Sequence, residues 1–308
     1  MVIPAHNSAA YLPEALDSVF AQGLEDLDVV VVDDGSTDGT AGVARMYGRG
    51  VRVLIQPRSG SGRARNAGLA ATSGELVAFL DADDIWVPEK TSMQMRLLEA
   101  DPGLALVFSD MVAFEGDRQE ARTYFQQRGF DGRCAASSIF LYDMISTPTV
   151  ILKRACLERV GTFDESLRIG QDTDLWFRIA LELPFAVVDR ALVRRRFHQG
   201  NTTRDTRELA RCVVEVWGRY LERCVAREPA MRSALIKDFA HKRWDHLFQE
   251  GCALLRERKA PEARRRLSEA IGLAPLRPRP YVFYLASLLS AGSRRASSAG
   301  PAGEERSR

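Results

Sequence analysis

The sequence predicts an α/β fold: a doubly wound, mostly parallel sheet flanked by helices, followed by an all-α C-terminal extension. Three observations carry this expectation. β-like and helix-like segments alternate along the first half of the chain, acidic or glycine-rich loops stand where several of those strands end, and beyond about residue 206 apolar residues recur at helical spacing only.

Taken in order, Met1-Val2-Ile3-Pro4 supplies three apolar residues before a proline, so the first strand reads as short, either a weak edge or the remainder of a strand that begins upstream. Segments 27–32, 51–56 and 75–80 read as further strands, and 40–47 and 62–71 as the helices between them. One short helix per strand implies parallel crossovers. A last strand-like run covers 191–197. From Leu209, the residues Cys212, Val213, Val216, Tyr220, Leu221 and Cys224 fall on one helical face. Gly251, Ala263, Leu267, Ala270 and Pro275 match one tetratricopeptide-like helical hairpin, with 281–289 as a following helix. One such repeat cannot bury its own face, so it is expected to dock on the preceding domain or on a protein partner. The domains expected are therefore residues 1–204, a helical extension over 205–290, and a tail over 291–308 too poor in apolar residues to fold.

Composition removes several classes of function. The chain has 308 residues, 45% hydrophobic and 27% charged, with a formal net charge of +2, too small to imply a nucleic-acid surface. Its cysteines, at 134, 156, 212, 224 and 252, are odd in number and have no C-x-x-C spacing, which reads as buried thiols in a reducing cytosol. No stretch has the length of a transmembrane helix and no signal core opens the chain. A cytoplasmic protein is expected, at most peripheral on the inner face of a membrane. Arg264, Arg265, Arg266, Arg277 and Arg279 offer either a solvated basic face or a contact with anionic lipid.

The loops carry the chemistry. Phe79-Leu80-Asp81-Ala82-Asp83-Asp84 sets three carboxylates at a strand's carboxyl end, where such sheets collect ligands. Like charges so close call for a hard divalent cation, Mg²⁺ or Mn²⁺, which commonly shares its coordination with a substrate's phosphates. Asp33-Asp34-Gly35-Ser36-Thr37-Asp38-Gly39-Thr40 is a second such loop, able to bind a base N–H or ribose hydroxyls and also to form an Asx-type turn with Thr40 as helix N-cap. Pro4, Ala5, His6 and Asn7 form a third, whose backbone can flank a planar base. Arg58-Ser59-Gly60-Ser61-Gly62-Arg63-Ala64-Arg65-Asn66 reads either as a solvated basic turn or as a loop in which Gly62 lets the chain approach phosphates and Arg65 bridges their oxygens. The segment has neither a P-loop lysine nor a dinucleotide fingerprint, which excludes the common ATPase and NAD readings.

Together these segments, with Gly161-Thr162-Phe163-Asp164-Glu165, resemble family-two inverting glycosyltransferases, which have the GT-A fold and use nucleotide-sugars; the resemblance spans roughly residues 1 to 200. It implies that Asp34 contacts the base, Asp81 the ribose and metal side, and Asp83 the cation. It also implies a general base at Asp172 in Gln171-Asp172-Thr173-Asp174, where family members usually carry Glu-Asp; Gln171 removes a neighbouring charge. Asp172 could instead be only a helix cap, and Asp174 is the second choice of base. His198 is a metal or phosphate ligand, as a C-terminal histidine is in some GT-A enzymes, or a surface histidine beside a basic strand. Trp86 and Trp176 could stack on sugar rings but read more readily as core.

The implied partners are a nucleotide-sugar donor, UDP-sugar favoured, and a glycan or lipid-linked acceptor in bacterial surface glycan or glycolipid synthesis, with the irregular segment 115–142 on the acceptor side. Two other readings compete. A nucleotidyltransferase needs a glycine-rich basic loop after the first strand, which Pro4-Ala5-His6-Asn7 does not offer. A catalytically impaired scaffold would use the C-terminal helices to bind a partner.

Overall fold

A computed structural model of the chain describes residues 1–201 and 206–296. Its described residues form two compact units, residues 1–201 with 219–235 and residues 206–218 with 236–296. In the first unit, strands β1 (Val2–Ala5), β2 (Val29–Asp34) and β3 (Val51–Gln56) are parallel in the spatial order β1-β2-β3, with Ala5 opposite Asp33 and Asp34 opposite Gln56. The helices α1 (Leu12–Phe20), α2 (Thr40–Arg45) and α3 (Ser61–Ala71) make the crossovers.

The faces of β2 explain the double winding. Val29 and Val31 join Leu12, Ala15, Leu16 and Val19 of α1 in one core, whereas Val30 and Val32 pack with Ala64 and Ala67 of α3 on the other side. Alternation along a strand sends each valine to its own layer, and full burial of each contributes about 1.5–3 kcal/mol. Gly68 permits the second layer: a Cβ there would stand 2.3 Å from Cγ1 of Val2.

β1 is not an edge. A parallel bridge joins Val2 to Phe79, and the Leu80 N–H donates to the Val2 carbonyl at 3.2 Å, so β1 lies between β2 and the strand that leads to the acidic run. Pro4, which has no N–H to give, lies inside the strand, and Ala5 still pairs with Asp33 beyond it. Beyond it, β4 (Leu76–Ala78), β5 (Ile85–Trp86), β6 (Leu106–Glu115), β7 (Arg118–Gln119), β8 (Ile151–Lys153) and β9 (Phe185–Arg196) extend the architecture in the order β4-β8-β6-β9-β5, with β7 on β6. Pairing there is antiparallel except between β6 and β9. The sheet is thus parallel in its first half and mixed in its second. β9 starts six residues before the run expected from sequence, because Phe185 to Asp189 alternates less cleanly than a one-sided strand.

The helices α4 (Lys90–Ala100), α5 (Tyr124–Arg128), α6 (Ala136–Tyr142), α7 (Arg154–Val160) and α8 (Gln171–Glu182) complete this unit together with the end of α9 (Thr206–Arg227). In the second unit, α10 (Arg232–Arg256) and α11 (Ala260–Leu273) form the expected hairpin around Trp244, Leu247, Phe248, Cys252, Leu267 and Ala270. Gly251 belongs to it by close approach, since a Cβ would lie 2.7 Å from Cγ of Leu267. The last helix, α12 (Arg279–Ala296), continues past residue 291, where the sequence suggested a tail; residues 297–308 lie outside the described residues. Among the described residues, no helix is long and apolar enough to cross a membrane.

Candidate active site

The parallel register brings the carboxyl ends of β1, β2 and β3 and the run after Phe79 to one edge, and side chains stitch the loops there. Asn7 adopts φ 50°, its N–H donates to Ser36 Oγ at 2.9 Å, and its Oδ1 accepts from the Thr37 N–H at 2.8 Å. Asp38 accepts from the Ala9 N–H and from Thr40, forming the Asx-type turn. The cap itself shifts by one residue: Gly39, left-handed at φ 87°, occupies the N-cap, and Thr40 is the first helical residue. Ala5 is buried in the core and Pro4 is half-buried, so of the two Pro4 offers the surface at this edge.

Asp34 holds the glycine-rich loop. Its buried carboxylate accepts from the N–H groups of Ser59 at 2.7 Å and Gly60 at 2.8 Å and from Gln56 Nε2 at 2.8 Å. Gly35, at φ +72°, makes room: a Cβ would lie 2.8 Å from the Arg58 nitrogen. A base expected to meet Asp34 would therefore share a carboxylate that already organises the segment leading into α3.

The acidic run splits into three environments. Asp81 Oδ1 accepts from Arg65 Nη2 at 2.7 Å. Arg65 is buried beside the Phe163 ring, and its Nε and Nη1 have no partner. Asp83 Oδ2 lies 2.8 Å from His198 Nε2 and 3.3 Å from Asn201 Nδ2. The Gly200 N–H donates to His198 Nδ1 at 3.1 Å, which leaves the ring proton on Nε2, directed at Asp83. Asp84 is fully enclosed and accepts from the Arg196 N–H at 2.9 Å. Burial raises the pKa of Asp83, and the charge of Asp81 adds to this, against the His198 hydrogen bond. Burial, with the charges of Asp83 and Asp81, holds Asp84 well above the usual carboxylate range. Among the described residues, no three His, Cys, Asp or Glu side chains form a ready-made metal cluster.

At the start of α8, Gly170 caps the helix in the left-handed conformation and Gln171 donates to Ser61 Oγ at 2.6 Å, tying this helix to the start of α3 beside Gly62. Asp172 Oδ2 accepts from Thr147 Oγ1 at 2.9 Å and its Oδ1 from the Thr173 N–H at 2.9 Å. Thr147 was not singled out in the sequence. It sits on a buried turn fixed by Trp86 Nε1 to the Pro148 carbonyl, and by Gln94 Nε2 to the Thr149 carbonyl, with Lys90 donating to Gln94 at 2.6 Å. Asp174 loses its candidacy as base. It is buried, with Arg178 Nε at 2.9 Å, Tyr220 Oη at 2.7 Å and Arg219 at 3.6 Å, and these contacts give it a structural role. Trp86 and Trp176 are core residues.

A doubly wound sheet with a parallel half, glycine-rich loops on its edge and an acidic run paired with a distant histidine is the arrangement of a GT-A glycosyltransferase. The chain belongs to glycosyl transferase family 2, whose family model matches residues 1–199. It is 28% identical over 239 residues to the uncharacterised glycosyltransferase RT0329 of Rickettsia typhi, covering 75% of this chain and 74% of that one. Staphylococcus aureus TarS 1–349 in complex with UDP-GlcNAc has a similar fold, with a TM-score of 0.66 at 20% identity over 96% of this chain and 91% of that one. The mannosyltransferase PcManGT of Pyrobaculum calidifontis, in complex with GDP-Man and Mn²⁺, gives 0.58 at 22% identity over 96% and 79%. The nucleotidyltransferase reading falls with this membership.

Proposed function

We propose that the chain moves a sugar from a nucleotide-diphosphate donor, UDP-sugar preferred, to an acceptor hydroxyl by a single inverting displacement that needs Mg²⁺ or Mn²⁺, in surface glycan or glycolipid synthesis on the cytoplasmic side. The observation that carries the reading is the meeting of Asp83 and His198 at 2.8 Å across 115 positions of sequence, on the edge where the donor loops converge. The ligands captured with the two structural neighbours, UDP-GlcNAc, and GDP-Man with Mn²⁺, belong to the donor class proposed.

The residues fit a hard cation. A carboxylate oxygen and an imidazole nitrogen already converge there; to ligate an ion through Nε2 the ring would carry its proton on Nδ1 and give up the bond from the Gly200 N–H. Asp83 and His198 would hold the ion, with its other positions left to the donor's phosphates and water, a common arrangement for Mg²⁺. Bound there, it would neutralise charge on the departing diphosphate. Arg65, held by Asp81 and with two buried nitrogens left without a partner, would serve the same end of the donor.

Asp172 is the proposed base. As the acceptor oxygen bonds to the anomeric carbon, the bond from that carbon to the phosphate oxygen breaks, its electron pair leaves with the nucleotide, and the acceptor's proton passes to Asp172. Thr147 and the Thr173 N–H engage one lone pair on each carboxylate oxygen, which fixes the group and leaves acceptor capacity on both.

Thermal shift with UDP and Mn²⁺ tests the donor site. Stabilisation that a chelator removes is expected, and no shift with any nucleotide would defeat the reading. Metal-dependent hydrolysis across a panel of nucleotide-sugars then identifies the donor.

A further inference from the structure

We infer that the outward face of α12 is a docking surface for an anionic lipid bilayer. The inference concerns the second unit alone and stands whether or not the reaction proposed above is correct.

The helix has two unlike sides. Pro280 and Ser287 are buried, and Tyr284 packs on the core around Trp244 and Phe248. Tyr281, Val282, Leu285 and Leu288 point outward with 40%, 63%, 60% and 46% of their surfaces exposed, and Leu276, just before the helix, is 96% exposed. At 3.6 residues per turn the four helical positions form one stripe. A run of large apolar side chains left in water marks a surface that meets something apolar.

Charge selects what that is. From Ala270 to Gly303 the sequence holds no Asp or Glu, yet it carries Arg277, Arg279, Arg294 and Arg295. Arg277 lies with Cζ 4.2 Å from the Trp244 ring, so its charge is anchored to the unit that carries the stripe. The arginines that drew attention in the sequence are otherwise engaged. Arg266 pairs with Glu250 at 2.8 Å and Glu269 at 3.3 Å, Arg265 approaches Glu269 at 3.8 Å, and Arg264 donates to the Ser287 carbonyl at 3.5 Å. Among the described residues, Arg277 and Arg279 form no ion pair, and this positive charge lies beside the start of the α12 stripe. A second copy docked on this face would set arginine against arginine with no acid from the same stretch between them. A bilayer surface offers acyl chains to the stripe and lipid phosphates to the arginines.

Sedimentation of the full-length chain with phosphatidylcholine vesicles, with and without phosphatidylglycerol, tests this. Binding is expected to the anionic vesicles, little to the neutral ones, and less as salt rises. Val282→Glu with Leu285→Glu should weaken it at least tenfold, as two charges enter the apolar contact. Arg277→Gln with Arg279→Gln should weaken it by roughly tenfold or more. Val282 and Leu285 are exposed, so the melting temperature of the double glutamate variant should not change, and this separates lost binding from lost folding. Failure to bind either vesicle, or undiminished binding by the double glutamate variant, would overturn the inference. So would self-association without lipid that the same variant abolishes, which would give the face to a second copy.

Discussion

The acids after β4 and the acids that open α8 are both short carboxylate runs, and their neighbours differ in kind. After β4 the chain turns tightly, so Asp81, Asp83 and Asp84 stay within reach of one another's charge and burial raises the proton affinity of two of them. On α8, residues two apart point about 200° apart around the axis. Asp174 turns inward to Arg178, Arg219 and Tyr220, while Asp172 meets, among the described residues, a hydroxyl and a backbone N–H. On the reading proposed above, the crowded carboxylate would take the cation and the one held by neutral donors the proton, while the one paired to a guanidinium supports the fold. Geometry distributes those tasks among residues that look alike in the sequence.

The sharpest break between the two α8 acids is expected from Asp172→Asn. Loss of a positioned base costs about 10²- to 10⁴-fold in turnover, while the thermal shift with UDP and Mn²⁺ should survive. Asp174→Asn should do the reverse. It takes the charge from a buried carboxylate that accepts from the half-buried Arg178 and from Tyr220, which costs about 1.5–3 kcal/mol of stability, and enzyme that remains folded should still turn over. Normal turnover by the Asp172 variant would remove that residue from the base role.

The acids after β4 are tested by Asp83→Asn, which is isosteric and keeps an acceptor towards His198. Loss of electrostatic stabilisation at the leaving group should lower turnover by roughly 10²- to 10³-fold, and the nucleotide shift should cease to depend on Mn²⁺. A chelator-sensitive shift of unchanged size would place the cation elsewhere. Between the two regions stands Thr147→Val, which removes one hydrogen bond to a charged group, worth about 1.5–3 kcal/mol. Roughly a tenfold or greater fall in kcat, with donor KM unchanged and activity restored by Thr147→Ser, is expected if the hydroxyl fixes Asp172. Equal loss in the serine variant would mean that the turn has simply been disturbed.

Much of the sheet edge proposed to meet the donor was legible in the sequence because its strands are short apolar runs that end in loops of distinctive chemistry. The bounds of β3 follow directly from Val51 to Gln56, and Asp81, Asp83 and Asp172 are recognisable by residue type and place. Long-range pairing was less legible. Nothing in the local pattern of Met1 to Pro4 says that its free side meets Phe79, so a central strand looked like an edge. Nor does helical spacing reveal that Tyr220, 46 positions along, closes over Asp174 and removes it from the chemistry. His198 was visible as a histidine at a strand end, but its tautomer depends on Gly200, and Thr147 is a small polar residue in an unremarkable turn. These assignments depend on contacts that only the fold creates.

The smallest effect expected concerns why Asp172 meets neutral donors although a lysine lies under the same turn. Lys90 is fully buried, donates to Gln94 and stands 4.1 Å from the centre of the Trp86 ring, so it supports the Thr147–Thr149 turn through those residues and gives Asp172 no counter-ion. Burial holds its ammonium well below the ordinary 10.5. Between that depressed value and 10.5 the unfolded chain binds more protons than the folded one, so Lys90 makes stability rise as pH increases across the window. Melting curves of the wild type and Lys90→Met from neutral pH to about pH 10 check the sign. The variant should compare best with the wild type at the neutral end and lose ground towards pH 10, as the wild type ceases to carry the penalty of a buried charge. Parallel curves would mean that Lys90 keeps its proton at no cost in the fold, and the turn beneath Asp172 would then contain a cation after all.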